Sequence, residues 1–230
     1  MLTGSRGRDA FVREASDWDV RLVVRDESYA EAAETLATAH GSPIEVAVHS
    51  LAALERVGEP GTETTWDRYS YVHAQVLVDK LDGRIGQIVA AKAVLPEGIG
   101  PGLAAAALDD YVNSYYRALK NNRAGLAVEA HLDAAESIPP LLTTVFAVHD
   151  RVRPFNRFLA WELERFPLPE PWLAHDRFVP RLEKILRKGS LNEQASLFRD
   201  VEAFARRHDL GDTIDSWEPD VPWLRSGKPG

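Results

Sequence analysis

With 230 residues and 45% hydrophobic content, the chain is long enough to bury one large core or two small ones. A formal net charge of −8 argues against a generally basic nucleic-acid surface, and the absence of cysteine excludes disulfides, zinc–thiolate sites and thiol catalysis. No run approaches the roughly 18 apolar residues that a membrane span needs, and the first six residues lack a signal-peptide core, so a soluble cytoplasmic protein is expected.

In chain order, residues 17–24 (DWDVRLVV) alternate like a strand, and 29–39 have a helical pattern. Residues 44–49 (IEVAVH) read as the next strand, 51–57 as a short helix, 69–78 (YSYVHAQVLV) as a third strand, and 85–93 as a helix. The stretch 96–102 (PEGIGPG) breaks this rhythm and is the expected linker. It follows a helix rather than a strand, which argues against a dinucleotide-binding loop. Over 103–120, Leu108, Tyr111, Val112, Tyr115 and Leu119 fall on one helical face. Further helices are expected at 125–137, 140–149, 155–166, 178–187 and 191–208, the last with Ser190 as N-cap and Glu193 completing a capping box. Phe155, Phe158 and Trp161 have core spacing, while Trp217 and Trp223 either cover the bundle or face a partner. The expected fold class is α+β: a small mixed sheet with flanking helices over 1–97, then a helical bundle over 98–230.

The chemistry-bearing residues lie in the first strands. Strand alternation puts Asp17 and Asp19 on one face and leaves Trp18, Val20, Leu22 and Val24 for burial on the other. Two neighbouring carboxylates repel unless a positive charge sits between them, and a hard divalent cation such as Mg²⁺ fills that need. Glu45 interrupts the next strand as an acid within IEVAV, sharing a face with Ala47 and His49 while Ile44, Val46 and Val48 point inward. Such local violations of pattern tend to mark function. Asp79 is the rival third carboxylate, with capping of the turn after its own strand as its alternative role. The histidines show no His-Glu-x-x-His spacing, and no Gly-x-Ser-x-Gly elbow is present.

The order Gly4-Ser5, then Ser16-Asp17-Trp18-Asp19 on a strand, then Glu45 on the following strand resembles the DNA-polymerase-β-like nucleotidyltransferase superfamily. Within it, the pattern is most similar to the aminoglycoside adenylyltransferases of the streptomycin-modifying type, which add a helical C-terminal domain. The stretch 75–85 (QVLVDKLDGRI) also resembles their strand-turn-helix after the third acid. The resemblance implies a nucleotidyltransferase fold and transfer of AMP from ATP to a hydroxyl of a small-molecule acceptor. Asp17, Asp19 and Glu45 would ligate Mg²⁺, with Glu45 also acting as the base. Backbone amides around Gly4, Ser5 and Arg6, with the Ser5 hydroxyl, would hold the triphosphate, and Ser16 matches a serine that borders the metal aspartates in that family. Arg117 and Lys120, in a polar stripe with Asp109 and Asn113, would clamp it from the bundle. Glu129, Asp133 and Glu136 are candidates for meeting a cationic acceptor, and they suit an ordinary exposed helix face equally well.

Only Met1-Leu2-Thr3 precede the Gly-Ser pair, where that family carries a helix and a full strand. Either the natural chain is longer or the helix is dispensable, and the strand beside the site is expected to have an unsupported edge. Two further readings stand beside the enzyme acting on a small molecule. One is a protein-modifying, antitoxin-like nucleotidyltransferase; the other is a nucleotide-binding regulatory module without turnover.

Overall fold

Apolar alternation and β-branched residues make strands of β1 (Trp18–Val24) and β2 (Ile44–Ser50), and the two pair in parallel. The computed structural model describes residues 1–14, 16–37 and 43–228. Before β1 lies a short helix, α1 (Gly4–Arg8), and α2 (Tyr29–Ala37) lies between the strands. The last two residues of the helix expected over 29–39 lie outside the described residues. After β2 come α3 (Leu51–Arg56), capped by the Ser50 hydroxyl, and α4 (Arg84–Lys92). The chain divides into two compact units, Met1–Pro96 and Glu97–Gly230. The first is thus an α+β unit: a parallel two-stranded sheet with helices flanking it.

The register sets Asp19 opposite Glu45, Arg21 opposite Ala47 and Val23 opposite His49. Leu2 extends the sheet by isolated antiparallel bridges to Val20 on one side and Gln75 on the other. The expected unsupported edge is therefore absent at Leu2, whose N–H and C=O both bond Gln75 (2.8 and 2.9 Å). Met1 likewise exchanges both bonds with Arg21 of β1, and the Thr3 N–H donates to the Asp19 carbonyl.

The third strand expected at 69–78 is a correction. Thr65–Tyr71 is a 3₁₀ helix, and the following stretch pairs only through Gln75. Its apolar run arises from two sources. Tyr69, Tyr71 and Val72 are buried from a helical turn, whereas Leu77 and Val78 are exposed. A ladder also needs a facing chain, and here the facing stretch bonds only at Leu2. The expected burial of the second strand faces is likewise corrected. Trp18, Leu22 and Ile44 are exposed, and Val20, Val24, Val46 and Val48 are only half-buried. The Trp18 ring is instead covered by the Arg6 guanidinium, 4.4 Å from its centroid.

The core of this unit gathers Met1, Leu54, Tyr71, Ile85 and Val89, with Val23, Leu51, Leu81 and Ile88 packed around it. Two buried cations brace it through backbone carbonyls rather than carboxylates. Lys92 Nζ donates to Glu55 and Val57, and Arg68 donates to Gly58, Ala91 and Val94. Arg68 thereby satisfies acceptors at the end of α4 that the helix leaves open.

The second unit is helical: α5 (Ile99–Arg123), α6 (Ala127–Glu136), α7 (Ile138–Ala147), α8 (Leu159–Arg165), α9 (His175–Lys188), α10 (Leu191–Arg207), α11 (Gly211–Asp215) and α12 (Val221–Ser226). The linker expected over 96–102 is shorter than its composition suggests, because α5 begins at Ile99. Gly98 takes a left-handed N-cap conformation, and Pro101 falls in the first turn, where its missing N–H costs no helical bond. Gly100 lets α5 approach α7: a Cβ there would lie 2.8 Å from the Ala147 carbonyl. Tyr111, Tyr115, Phe146, Phe178, Phe198 and Phe204 fill the interior. Ser190 caps α10 by accepting from the Glu193 N–H, but the Glu193 carboxylate binds Arg181 and Lys184 instead of closing the expected box. Trp217 and Trp223 cover the bundle against Tyr116, and Trp217 Nε1 donates to Asp109.

Candidate metal centre

Three carboxylates converge at the start of the two strands. Asp17, Asp19 and Glu45 each offer an oxygen within 4.8 Å of the other two. Parallel pairing produces this directly, since Asp19 and Glu45 are cross-strand partners and Asp17 lies two residues before Asp19. Asp17 and Glu45 are exposed, and Asp19 is half-buried. The carboxyl of Asp19 is held above its ordinary range, first by burial and then by the negative charge of Asp17. Arg21 and Arg8 pull it partly back. Beside the strands, Thr3, Asp19, Arg21, Glu45 and Ala47 line a cleft of about 230 Å³.

α1 closes one wall of this site. Gly4 has a φ of +63°, and an ideal Cβ on it would fall 1.7 Å from Asp19 Oδ2. Any larger residue would therefore displace a carboxylate of the cluster. Gly7 is also tightly placed, because a Cβ there would lie 2.7 Å from the Leu2 carbonyl. Gln75 Nε2 pins the helix by donating to Gly7 O at 2.8 Å, and Arg8 donates to the Gly4 and Tyr69 carbonyls. Thr3 completes the wall: its N–H and its hydroxyl both donate to Asp19 O, at 2.9 and 3.2 Å.

The donor set suits a hard cation. All three ligand groups are oxygen anions, arranged so that a divalent ion between them would relieve their repulsion. Among the described residues, none of the three is ion-paired with an arginine or lysine.

Other residues singled out in the sequence have definite places. The Gly4-Ser5-Arg6 stretch forms the first turn of α1, whose amides have no acceptor within the helix. The Arg6 side chain is engaged: Nε and Nη2 donate to the Ser16 carbonyl at 3.0 and 2.8 Å. The Ser16 hydroxyl accepts from the Arg13 N–H and shapes the turn before the Asp17 position. Asp79 lies outside the cluster, accepting from the Leu81 amide in the turn before α4 and from the Gly86 amide in its first turn. Those amide bonds hold its carboxyl below its usual range. His49 shares the Glu45 face by alternation but sits at the far end of β2, with a buried Nε2 that has no partner among the described residues.

In the helical unit, Arg117 is bound to Asp133 and Glu136 at 2.9 and 2.7 Å, and Lys120 lies over the Tyr116 ring. Glu129 lies in the first turn of α6.

The sequence reading missed Arg21 and its anchors. Arg21 projects from the same face as Asp17 and Asp19, donates to both oxygens of Asp67 at 3.0 Å, and donates to Tyr71 Oη at 2.9 Å. A charge inside VRLVV is the same kind of signal that exposed Glu45. Asp67 carries no such signal, because the 3₁₀ turn that aims it could not be read from the pattern.

No family model matches the chain, and neither a curated protein nor a solved structure matches it. The functional reading therefore rests on the chemistry of the site itself.

Proposed function

We propose that this protein is a divalent-metal-dependent nucleotidyltransferase of the polymerase-β-like type. It would move AMP from ATP to a hydroxyl of a small-molecule acceptor, with aminoglycosides as the first class to test. The observation that carries this reading is the convergence of Asp17, Asp19 and Glu45 beside Gly4.

Asp17, Asp19 and Glu45 would hold Mg²⁺, whose positive charge would offset the negative charge of the phosphates during transfer. Glu45, exposed at the cleft mouth, takes the proton of the acceptor hydroxyl. The hydroxyl oxygen then attacks the α-phosphorus, the bond to the bridging oxygen of the β-phosphate breaks, and pyrophosphate leaves with that electron pair. Gly4 lets the α1 backbone come close to Asp19, because nothing projects from its Cα, and the first-turn amides of α1 would then lie beside the carboxylates to meet the phosphates. Thr3, bonded to the Asp19 carbonyl, fixes the strand position from which the carboxylate is aimed.

Incubation with α-labelled ATP, Mg²⁺ and a panel of aminoglycosides tests the proposal. Labelled acceptor and released pyrophosphate are expected. Label on protein would favour a protein-modifying enzyme, and nucleotide binding without pyrophosphate release under any acceptor would favour a regulatory module.

A further inference from the structure

Among the described residues that line the carboxylate cleft, Arg21 is the one basic side chain. It follows Asp17 and Asp19 on the same face of β1, one step deeper. Opposite it stands Ala47, and the guanidinium reaches the 65–71 turn. There Nη1 and Nη2 take the two Asp67 oxygens at 3.0 Å each, and Nη1 also donates to Tyr71 Oη. The Tyr71 ring lies 4.9 Å from the guanidinium carbon, and Ser70 Oγ holds Asp67 Oδ1 from the other side at 2.6 Å. Both charged side chains are only 14% exposed. The guanidinium is thus immobilised and cannot swing out to meet a phosphate. Its charge, however, acts on the cluster through space, and a half-neutralised ion pair in a poorly solvated position is screened less than one at the surface.

We propose that Arg21, anchored by Asp67, is a positioning residue whose fixed counter-charge sets how tightly Asp17, Asp19 and Glu45 bind a free divalent cation. This rests on the metal-site reading above. Arg21 lines the cleft together with Asp19 and Glu45, and Asp67 is not among the described residues that line it, so the positive charge is the one that offsets part of the triple negative charge and weakens binding of bare metal. A triphosphate, which brings its own negative charge together with its metal, restores what Arg21 removes. The site is in this way biased toward the metal–nucleotide complex over the metal alone.

The competing role is a structural tie between β1 and the 65–71 turn, and opposite signs separate the two. Arg21→Met and Asp67→Asn break the same ion pair, so a structural effect moves both in one direction. An electrostatic effect moves them apart, since the first deletes the positive charge and the second unmasks it. The experiment is Mn²⁺ binding to the full chain without nucleotide at pH 8, read by electron paramagnetic resonance of free Mn²⁺.

Arg21→Met is expected to tighten Mn²⁺ about tenfold, and Asp67→Asn to weaken it by about threefold or more, for a unit charge one strand position away. Arg21→Lys should resemble the unaltered protein. If Arg21→Met does not fold because Asp67 is left buried and unpaired, the double variant Arg21→Met/Asp67→Asn decides: binding tighter than in the unaltered protein supports the role, and equal or weaker binding overturns it. Shifts of both single variants in the same direction also overturn it, while leaving the metal site standing. If Asp19→Asn binds Mn²⁺ as tightly as the unaltered protein, the metal-site reading falls, and this inference with it.

Discussion

Gly4 and Asp19 are packed so closely that the glycine has no space for a methyl group: the carboxylate oxygen Oδ2 already occupies the position that a Cβ would take. A glycine fifteen residues before an acid of the first strand is thereby tied to that acid by contact as well as by order in the chain.

Gly4→Ala should move the Asp19 carboxylate and also strain a left-handed backbone position. We expect a stability loss of about 1–2 kcal/mol, because alanine is disfavoured where φ is positive. Turnover should fall at least about a hundredfold, the scale on which a misplacement of one ångström acts. Thermal denaturation and pyrophosphate release measure the two effects, and full activity in this variant would contradict the cradle.

Asp17→Asn and Asp19→Asn should each lower turnover by about 10²–10³-fold through loss of charge at the phosphates. Asp19→Asn should also raise Tm by roughly 1–2 °C at pH 7. The sign follows from its carboxyl, which burial and Asp17 hold above the ordinary value in the fold. Ionisation is then harder in the folded chain than in the unfolded one. The penalty is complete above the folded pKa and disappears below the unfolded value of about 3.9. The Tm advantage of the variant should therefore vanish near pH 3.5. An advantage that persists there would refute its electrostatic origin.

Glu45→Gln keeps the shape of the side chain and removes its basicity. Nucleotide binding, followed by fluorescence of a labelled ATP analogue, should persist within about threefold, while single-turnover transfer falls by about 10²–10⁴-fold. Normal turnover would remove Glu45 from the base role. Asp79 would not inherit that role, because its oxygens are committed to the amides of Leu81 and Gly86.

His49 supplies a pH signature. Burial, with Arg21 adding to it, holds its imidazole below the ordinary value. Below about pH 6.5 the unfolded chain takes up the proton more readily, so the folded state loses stability as pH falls through the folded pKa. His49→Gln cannot take up that proton. The Tm of the variant relative to the unaltered protein should rise steadily from pH 7.5 toward pH 5; a constant difference would show that His49 does not titrate in this way.

In the helical unit, Glu202 joins α10 to α12. Its oxygens accept from Arg225 Nε and Nη2 at 2.7 and 2.6 Å and from Arg206 Nε at 3.0 Å. Glu202→Ala should cost about 1–2 kcal/mol, a modest figure for charge-assisted bonds because both arginines can recover water. Chemical denaturation of the full chain provides the check, and a stability equal to that of the unaltered protein would contradict it.

The strands that carry the acids could be read from the sequence because their signal is local. Period-two alternation marks Trp18–Val24 and Ile44–Ser50, and the placement of Asp17 and Asp19 on one face follows from it. The third strand misled because Tyr69, Tyr71 and Val72 are buried by a 3₁₀ turn, and because a run of apolar residues does not show whether a partner chain faces it. The contact of Gly4 with Asp19 was likewise out of reach: glycine announces permissive backbone, not the neighbour that requires it. The Arg21–Asp67 pair spans 46 residues and depends on that same turn, so no local pattern could supply it.

The most direct test of the central claim is a crystal of the protein soaked with Mn²⁺ and a non-hydrolysable ATP analogue, with anomalous scattering locating the metal. The account predicts a peak ligated by Asp17, Asp19 and Glu45, with the analogue's phosphates against α1. An ordered analogue whose Mn²⁺ binds elsewhere, with these three carboxylates contacting no metal, would contradict it.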